Sequence, residues 1–223
     1  MKKRSKKDPY VLIAIITAVA LLCLLALALV FLYEYKDKEI IEETNTSKIK
    51  INYPALKNKK INKDIENFIN KNIHNFKKLA PPPPDDPRHY KNELYITYDR
   101  PFITRKYASM VFYVMTYDGG AHPTTAVVTM NYNAQTGKEL RLADIYSGDK
   151  TKIREMIIGR LMKQVDHPDK EWITRGVNQD DLETFTFRFT NITFYFGQYQ
   201  VAPYAQGIQK VKFKLSTLIP IEH

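Results

Sequence analysis

The sequence predicts an α+β protein: an N-terminal transmembrane helix followed by an extracytoplasmic domain of mainly antiparallel sheet with two amphipathic helices. Three observations carry this prediction. One apolar run, Val11 to Leu32, holds no charge in 22 positions. Several later runs alternate apolar and polar residues between short Gly-, Asn- or Asp-containing turns, the pattern of hairpin-linked strands. Two further stretches repeat apolar residues every three or four positions, which places them on one face of a helix. Strands outnumber helices and follow one another directly, so antiparallel pairing is expected.

At roughly 1.5 Å per helical residue the apolar run spans about 33 Å, enough for a hydrocarbon core of about 30 Å. Tyr10 and Tyr33 bracket it, where amphipathic rings sit at headgroup level. Lys2, Lys3, Arg4, Lys6 and Lys7 precede it, whereas Glu34, Lys36, Asp37, Lys38 and Glu39 mix signs after it. Positive charge stays on the cytoplasmic side. Residues 1–9 therefore read as a cytoplasmic basic tail and 10–33 as a single-pass anchor in the cell membrane, with the rest of the chain outside. Ala26-Leu27-Ala28 supplies a cleavage-like A-x-A, but the apolar run continues past it to Leu32, unlike a cleaved signal. Cys23 is the only cysteine and lies within this run, so the external part has no disulfide and depends on its core.

Residues 34–47 are polar and charged and read as a stalk. Ile49 to Tyr53 alternates as a strand that Pro54 ends, and Ile61, Ile65, Phe68, Ile69, Ile73 and Phe76 define an amphipathic helix over 61–78. These make an N-terminal α/β portion, 48–80. Four successive prolines within the linker 81–90 favour a stiff polyproline II segment. The C-terminal antiparallel portion, 91–223, begins with strands at 94–98, within 102–117 and at 125–132, turned by Asp118-Gly119-Gly120. A hairpin at Asn133–Gly137 leads to 139–142. The second helix, about 150–165, aligns Ile153, Met156, Ile157, Leu161 and Val165, and residues 166–181 read as a polar loop. Strands at 185–189, 192–196 and 211–215 close the domain.

Beyond residue 9 the chain carries 29 Lys and Arg against 23 Asp and Glu, a net +6. A cationic external surface favours anionic partners such as a wall polymer; nucleic acid is not expected outside the cell. Catalytic signatures are missing. Ser47, Ser109, Ser147 and Ser216 lie outside any Gly-x-Ser-x-Gly turn, and His74, His89, His122, His167 and His223 are scattered without metal-ligand spacing. No phosphate-cradling Gly-x-x-x-x-Gly-Lys loop occurs. The reading is a non-enzyme with no metal and no cofactor.

Two stretches stand out. His122 follows the turn Asp118-Gly119-Gly120-Ala121 and precedes Pro123, which restricts it to extended backbone. Its imidazole either faces a ligand at a sheet edge or pins the hairpin through local hydrogen bonds. Gly197 to Gly207 carries Tyr199, Pro203 and Tyr204 between strands, a structured connection whose tyrosines serve as a ligand platform or as core packing. With Leu140-x-Leu142-x-Asp144 and Tyr53-Pro54-x-Leu56, these stretches resemble the paired domain of unknown function shared by the anti-sigma factor RsiV and the peptidoglycan deacetylase PdaC, over about residues 48–218. The resemblance implies an α+β fold of a small N-terminal and a larger C-terminal portion. Nothing in residues 1–223 corresponds to the sigma-binding or deacetylase segments of those proteins, so neither activity is expected. The expectation is a membrane-anchored cell-surface binding module that recognises peptidoglycan, an anionic wall polymer or a lysozyme-like protein through Asp118, Gly119, Gly120, His122, Pro123, Tyr199, Pro203, Tyr204 and Gly207. A wall-glycan hydrolase or deacetylase, or a receptor shed on ligand binding, is the alternative.

Overall fold

The computed structural model describes residues 9–32 and 35–218, with side chains omitted at 9, 11, 12, 26–32 and 218. The basic tail 1–8 and Tyr33 lie outside the described residues. Two compact units result, Met1–Lys36 and Asp37–His223.

The first unit holds one helix, α1 (Pro9–Leu32). The side chains described continuously along it, residues 13–25, are all exposed, Ile16, Leu21, Leu22 and Leu24 among them. Thr17 returns its hydroxyl to the carbonyls of Ile13 and Ala14, so its polarity is absorbed within the helix. Among the described residues no helix is long and apolar enough to cross a membrane.

The second unit is built on two sheets. The larger contains β1 (Tyr35–Glu43), β2 (Ser47–Leu56), β3 (Asn92–Tyr98), β4 (Phe102–Ile103), β5 (Tyr107–Tyr117) and β6 (Thr124–Asn133), ordered β1-β2-β3-β5-β4, with β6 also on β5. β2 and β3 run parallel, Ser47 opposite Asn92 and Ile51 opposite Ile96. Parallel neighbours need a long crossover. α2 (Lys59–Phe76) and the proline segment after it supply one. The helix starts on Asn58, whose side chain accepts from the Lys60 and Ile61 amides, and it buries Ile61, Ile65, Ile69 and Phe76. Burial along β2 alternates at Ile49, Ile51 and Tyr53, the period-two pattern that a half-covered strand requires. The other pairs, β3–β5, β4–β5 and β5–β6, are antiparallel as expected.

Three expectations are corrected here. The segment read as a stalk, 34–47, contains the strand β1, because strand pairing with β2 outweighs its polar composition. Its charges are spent sideways: Lys38 meets Glu66 at 2.8 Å, Glu42 meets Lys77 at 2.6 Å and Glu43 meets Lys91 at 2.8 Å. Charged side chains are a common guard on an edge strand. Pro54 does not end its strand, which continues to Leu56. The polar stretch 166–181 is not all loop, since a helix occupies Lys170–Gln179, and the helices number more than two.

The smaller sheet follows α3 (Leu142–Ile145), α4 (Lys150–Gln164) and α5 (Lys170–Gln179), and comprises β7 (Phe185–Arg188), β8 (Asn191–Phe196) and β9 (Gln209–Lys214) in that order. A short α6 (Leu215–Leu218) ends the described chain. α4 buries Ile153, Ile157 and Leu161, and α5 buries Ile173 and Val177. They join Phe185, Phe187, Ile192, Phe194, Phe196, Val211 and Phe213 of the sheet in one core. Residues on both sides of the linker 81–90 share the larger sheet, so the linker divides the sequence by composition but not the fold.

Candidate ligand-binding site

The turn between β5 and β6 is shaped around Gly119, whose φ of +89° disfavours any side chain. A Cβ there would also overlap the Tyr90 ring. Arg88 seals the arrangement: it donates to the Gly119 carbonyl, pairs with Asp86 at 2.6 Å and lies 4.9 Å from the Tyr90 ring centre. Asp118 and Gly120 are exposed at the tip.

Beyond the tip, the two stretches singled out in the sequence meet. The His122 ring stacks on Tyr204, with centroids 3.7 Å apart and planes 20° apart. Its Nε2 lies 3.1 Å from the Tyr199 hydroxyl and its Nδ1 lies 3.2 Å from the Pro123 carbonyl. A carbonyl only accepts, so Nδ1 carries the proton and Nε2 accepts from Tyr199. The Tyr204 hydroxyl donates to the same carbonyl at 2.9 Å, and the Thr125 amide donates to Gln198 at 2.8 Å. Both ring nitrogens of His122 therefore have partners, one within the hairpin and one on the tyrosine loop.

The connection 197–207 has its own constraints. Tyr199 sits at φ +63° and is 52% exposed, and Gly207 at φ +65°, ψ −156°, a region essentially reserved for glycine. Pro203 leads into the tight turn Tyr204–Gln206 that Gly207 closes. Gln200 secures the other end: it accepts from the Gly197 amide at 2.8 Å and donates to Asp180 at 2.6 Å.

Between this connection and α5 lies a cleft of about 500 Å³, lined by Trp172, Arg175, Gly176, Gln179, Asp180, Asp181, Tyr199 and Gln200. The Trp172 indole donates to the Tyr199 carbonyl at 3.1 Å, so both rings are fixed by hydrogen bonds rather than left to rotate. Gly176 allows the close approach, because a Cβ there would overlap the Gln200 carbonyl. Of the residues expected from sequence, Tyr199 lines this cleft, while His122, Pro123 and Tyr204 support it from behind. Asp118, Gly119 and Gly120 belong to the hairpin turn and do not line the cleft. Trp172, Arg175, Asp180 and Asp181 escaped notice because their segment reads as loop. The signal available was the chain's single tryptophan.

Among the described residues no group of three or more His, Cys, Asp or Glu is placed to hold a metal ion. The cleft presents two fixed aromatic rings, a guanidinium, two carboxylates and two amides.

The unit from Asp37 onward is an α+β fold of a six-stranded and a three-stranded sheet. Residues 40–125 match the family described as Deacetylase PdaC, and residues 143–216 match the protein of unknown function DUF3298, so the resemblance read from the motifs is shown. The chain is 26% identical over 194 residues to the peptidoglycan-N-acetylmuramic acid deacetylase PdaC of Bacillus subtilis (strain 168), which covers 83% of this chain and 42% of that protein. It thus spans less than half of that relative's length. Two solved structures share the fold: a DUF3298 family member from Bacteroides fragilis NCTC 9343, with TM-score 0.56 at 18% identity, covering 82% of this chain and 91% of that one, and a DUF3298 family protein from Pseudomonas aeruginosa PAO1, with TM-score 0.53 at 14% identity, covering 81% and 89%.

Proposed function

We propose that the chain is a membrane-anchored module that binds cell-wall glycan in the cleft between α5 and Tyr199. The observation that carries this is the pair of hydrogen-bonded rings, Trp172 and Tyr199, lining a polar cleft. A pyranose presents an apolar face and a rim of hydroxyls. Fixed aromatic faces match the first, and Arg175, Gln179 and Asp181 match the second, at little cost in side-chain ordering. The match to a protein named as a peptidoglycan deacetylase supports a wall ligand. In this reading α1 holds the module at the cell membrane with residues 1–9 inside. Binding is the role assigned to the cleft, and deacetylation is not.

Full-length chain in neutral detergent, mixed with purified peptidoglycan, tests the reading. Retention is expected, with W172A weakening it at least about ten-fold, since aromatic truncations at the centre of a site typically cost 2 kcal/mol or more, as roughly judged from interface hot spots. Equal retention of W172A and wild type, or release of acetate from the wall material by the pure chain, overturns it.

A further inference from the structure

The face of the small sheet turned away from its core carries a second arrangement, independent of the glycan cleft. Strand register sets side chains in rows across β7, β8 and β9. Thr186 lies opposite Thr193 and Thr193 opposite Lys212; Arg188 lies opposite Asn191 and Asn191 opposite Lys214; Tyr195 lies opposite Lys210. Lys210, Lys212 and Lys214 are all exposed, while Val211 and Phe213 between them are buried. Three cations therefore repeat along one edge strand at steps of roughly 7 Å, twice the rise of a strand residue.

Beside these rows runs a groove of about 200 Å³, walled on the other side by Asp99, Arg100 and Phe102. Asp99 is its one carboxylate, and it is occupied. It accepts from the Tyr113 hydroxyl at 2.8 Å and pairs with Lys210 at 3.4 Å. Burial, and then this bond to Asp99, pushes the Tyr113 hydroxyl above its ordinary pKa, so it remains a donor. Lys210 is spent on that contact and on the rings of Tyr113 and Tyr195, 4.8 and 5.7 Å away. Arg100, Arg188 and Lys212 also line the groove, and among the described residues no carboxylate lies within ion-pair distance of them. Thr193, opposite Lys212, adds a neutral hydroxyl to the groove lining, while the Thr186 hydroxyl is engaged with that of Tyr195 at 3.0 Å.

We infer that this groove is an anion site for the phosphate groups of a phosphodiester-linked polymer, with Arg100, Arg188 and Lys212 as the charged contacts and Lys214 extending the track. An arginine fork takes a phosphate oxygen pair, and the strand-spaced lysines favour a repeating anion over a single ion. Tyr195 is buried and its ring lies against Lys210, so the groove's contacts with a ligand are the cations named.

The test uses full-length chain in neutral detergent, with poly(glycerol phosphate) as the probe and tryptophan-independent calorimetry as the readout. Wild type is expected to bind. R100Q/R188Q/K212Q should weaken binding at least about ten-fold at 0.1 M salt and flatten the slope of log K against log salt by roughly two units, the scale for losing two or three phosphate contacts. R100K/R188K keeps the charge but not the planar fork, so it should bind more weakly than wild type yet more tightly than the triple Gln variant; binding as weak as the triple Gln variant would overturn the proposal. K60Q/K63Q/K71Q removes equal charge from α2 and should change binding less than two-fold. An equal loss in that α2 variant overturns the proposal in favour of unspecific attraction. So does a wild type that takes up phosphatidylglycerol in the micelle but not the polymer, since the phosphate would then come from lipid. Loss of peptidoglycan retention in W172A with polymer binding kept would leave this site standing whatever becomes of the glycan cleft.

Discussion

Ser109 joins the two sheets. Its hydroxyl donates to Asn131 Oδ1 at 2.7 Å and accepts from the Phe187 amide at 3.0 Å, and Asn131 donates in turn to the Phe185 carbonyl at 2.8 Å. Both side chains are buried, at 2% and 3% exposure, so water replaces neither bond. Ser109→Ala leaves an amide and a carbonyl oxygen without partners, and each such loss costs about 1–3 kcal/mol. We predict a destabilisation of about 2–4 kcal/mol in chemical denaturation, and a smaller loss for Ser109→Thr, which keeps the hydroxyl. Gly176 makes the opposite argument to helix propensity. In a helix interior Ala is normally the better residue by about 1 kcal/mol. Here its Cβ would overlap the Gln200 carbonyl, so G176A should destabilise the chain and open the Trp172–Tyr199 pair. A shift of tryptophan fluorescence and weaker peptidoglycan retention check this; a rise in Tm would refute it.

At the scale of elements, the linker 81–90 contains the ion pair of Asp86 and Arg88. The side-chain hydrogen bond from Arg88, reinforced by the Arg88 backbone amide, holds the Asp86 pKa down to about 2 from 3.8. A depressed carboxyl contributes stability that is complete above its unfolded value and disappears as pH falls through the folded one. Wild type should therefore exceed D86N in Tm above about pH 4, and the gap should close as pH falls to about 2. A gap that persists at pH 2 would assign the effect to shape rather than charge. The same elements show what composition reveals and hides. α2 and α4 were legible because their apolar residues recur on one face, and β5–β6 because a Gly-Gly turn divides two β-rich runs. β1 was not legible, since an edge strand with charged side chains shows no alternation and takes its order from β2, which begins four residues after it ends. α5 was missed because Lys170–Gln179 places only Ile173 and Val177 in the core, too few to register as a stripe. The candidate site was half legible for the same reason: its tyrosine loop carries a motif, while its α5 wall carries only exposed polar residues and one tryptophan.

At the scale of the whole molecule, the two units make different demands on solvent. The unit from Asp37 onward buries its apolar residues in sheets and helices, while α1 exposes every side chain described between residues 13 and 25. Exposed Ile16, Leu21, Leu22 and Leu24 gain nothing from water, and each fully removed from it is worth about 1.5–3 kcal/mol. In the proposed reading a bilayer satisfies that demand, with the five basic residues of the tail setting the direction of insertion. We predict that the chain stays in the membrane pellet after alkaline carbonate extraction, and that L21R/L24R releases it, since a charge near the centre of a span costs about 2.5–3.5 kcal/mol on insertion scales. Orientation has a separate readout. Protease added to intact cells should degrade the residues from Asp37 onward and spare a tag placed at Met1; replacing Lys2, Lys3, Arg4, Lys6 and Lys7 by Gln should make part of the population expose the tag instead. Protection of the C-terminal unit in wild-type cells would reverse the topology and place both the glycan cleft and the phosphate groove on the cytoplasmic side, where neither proposed ligand is found.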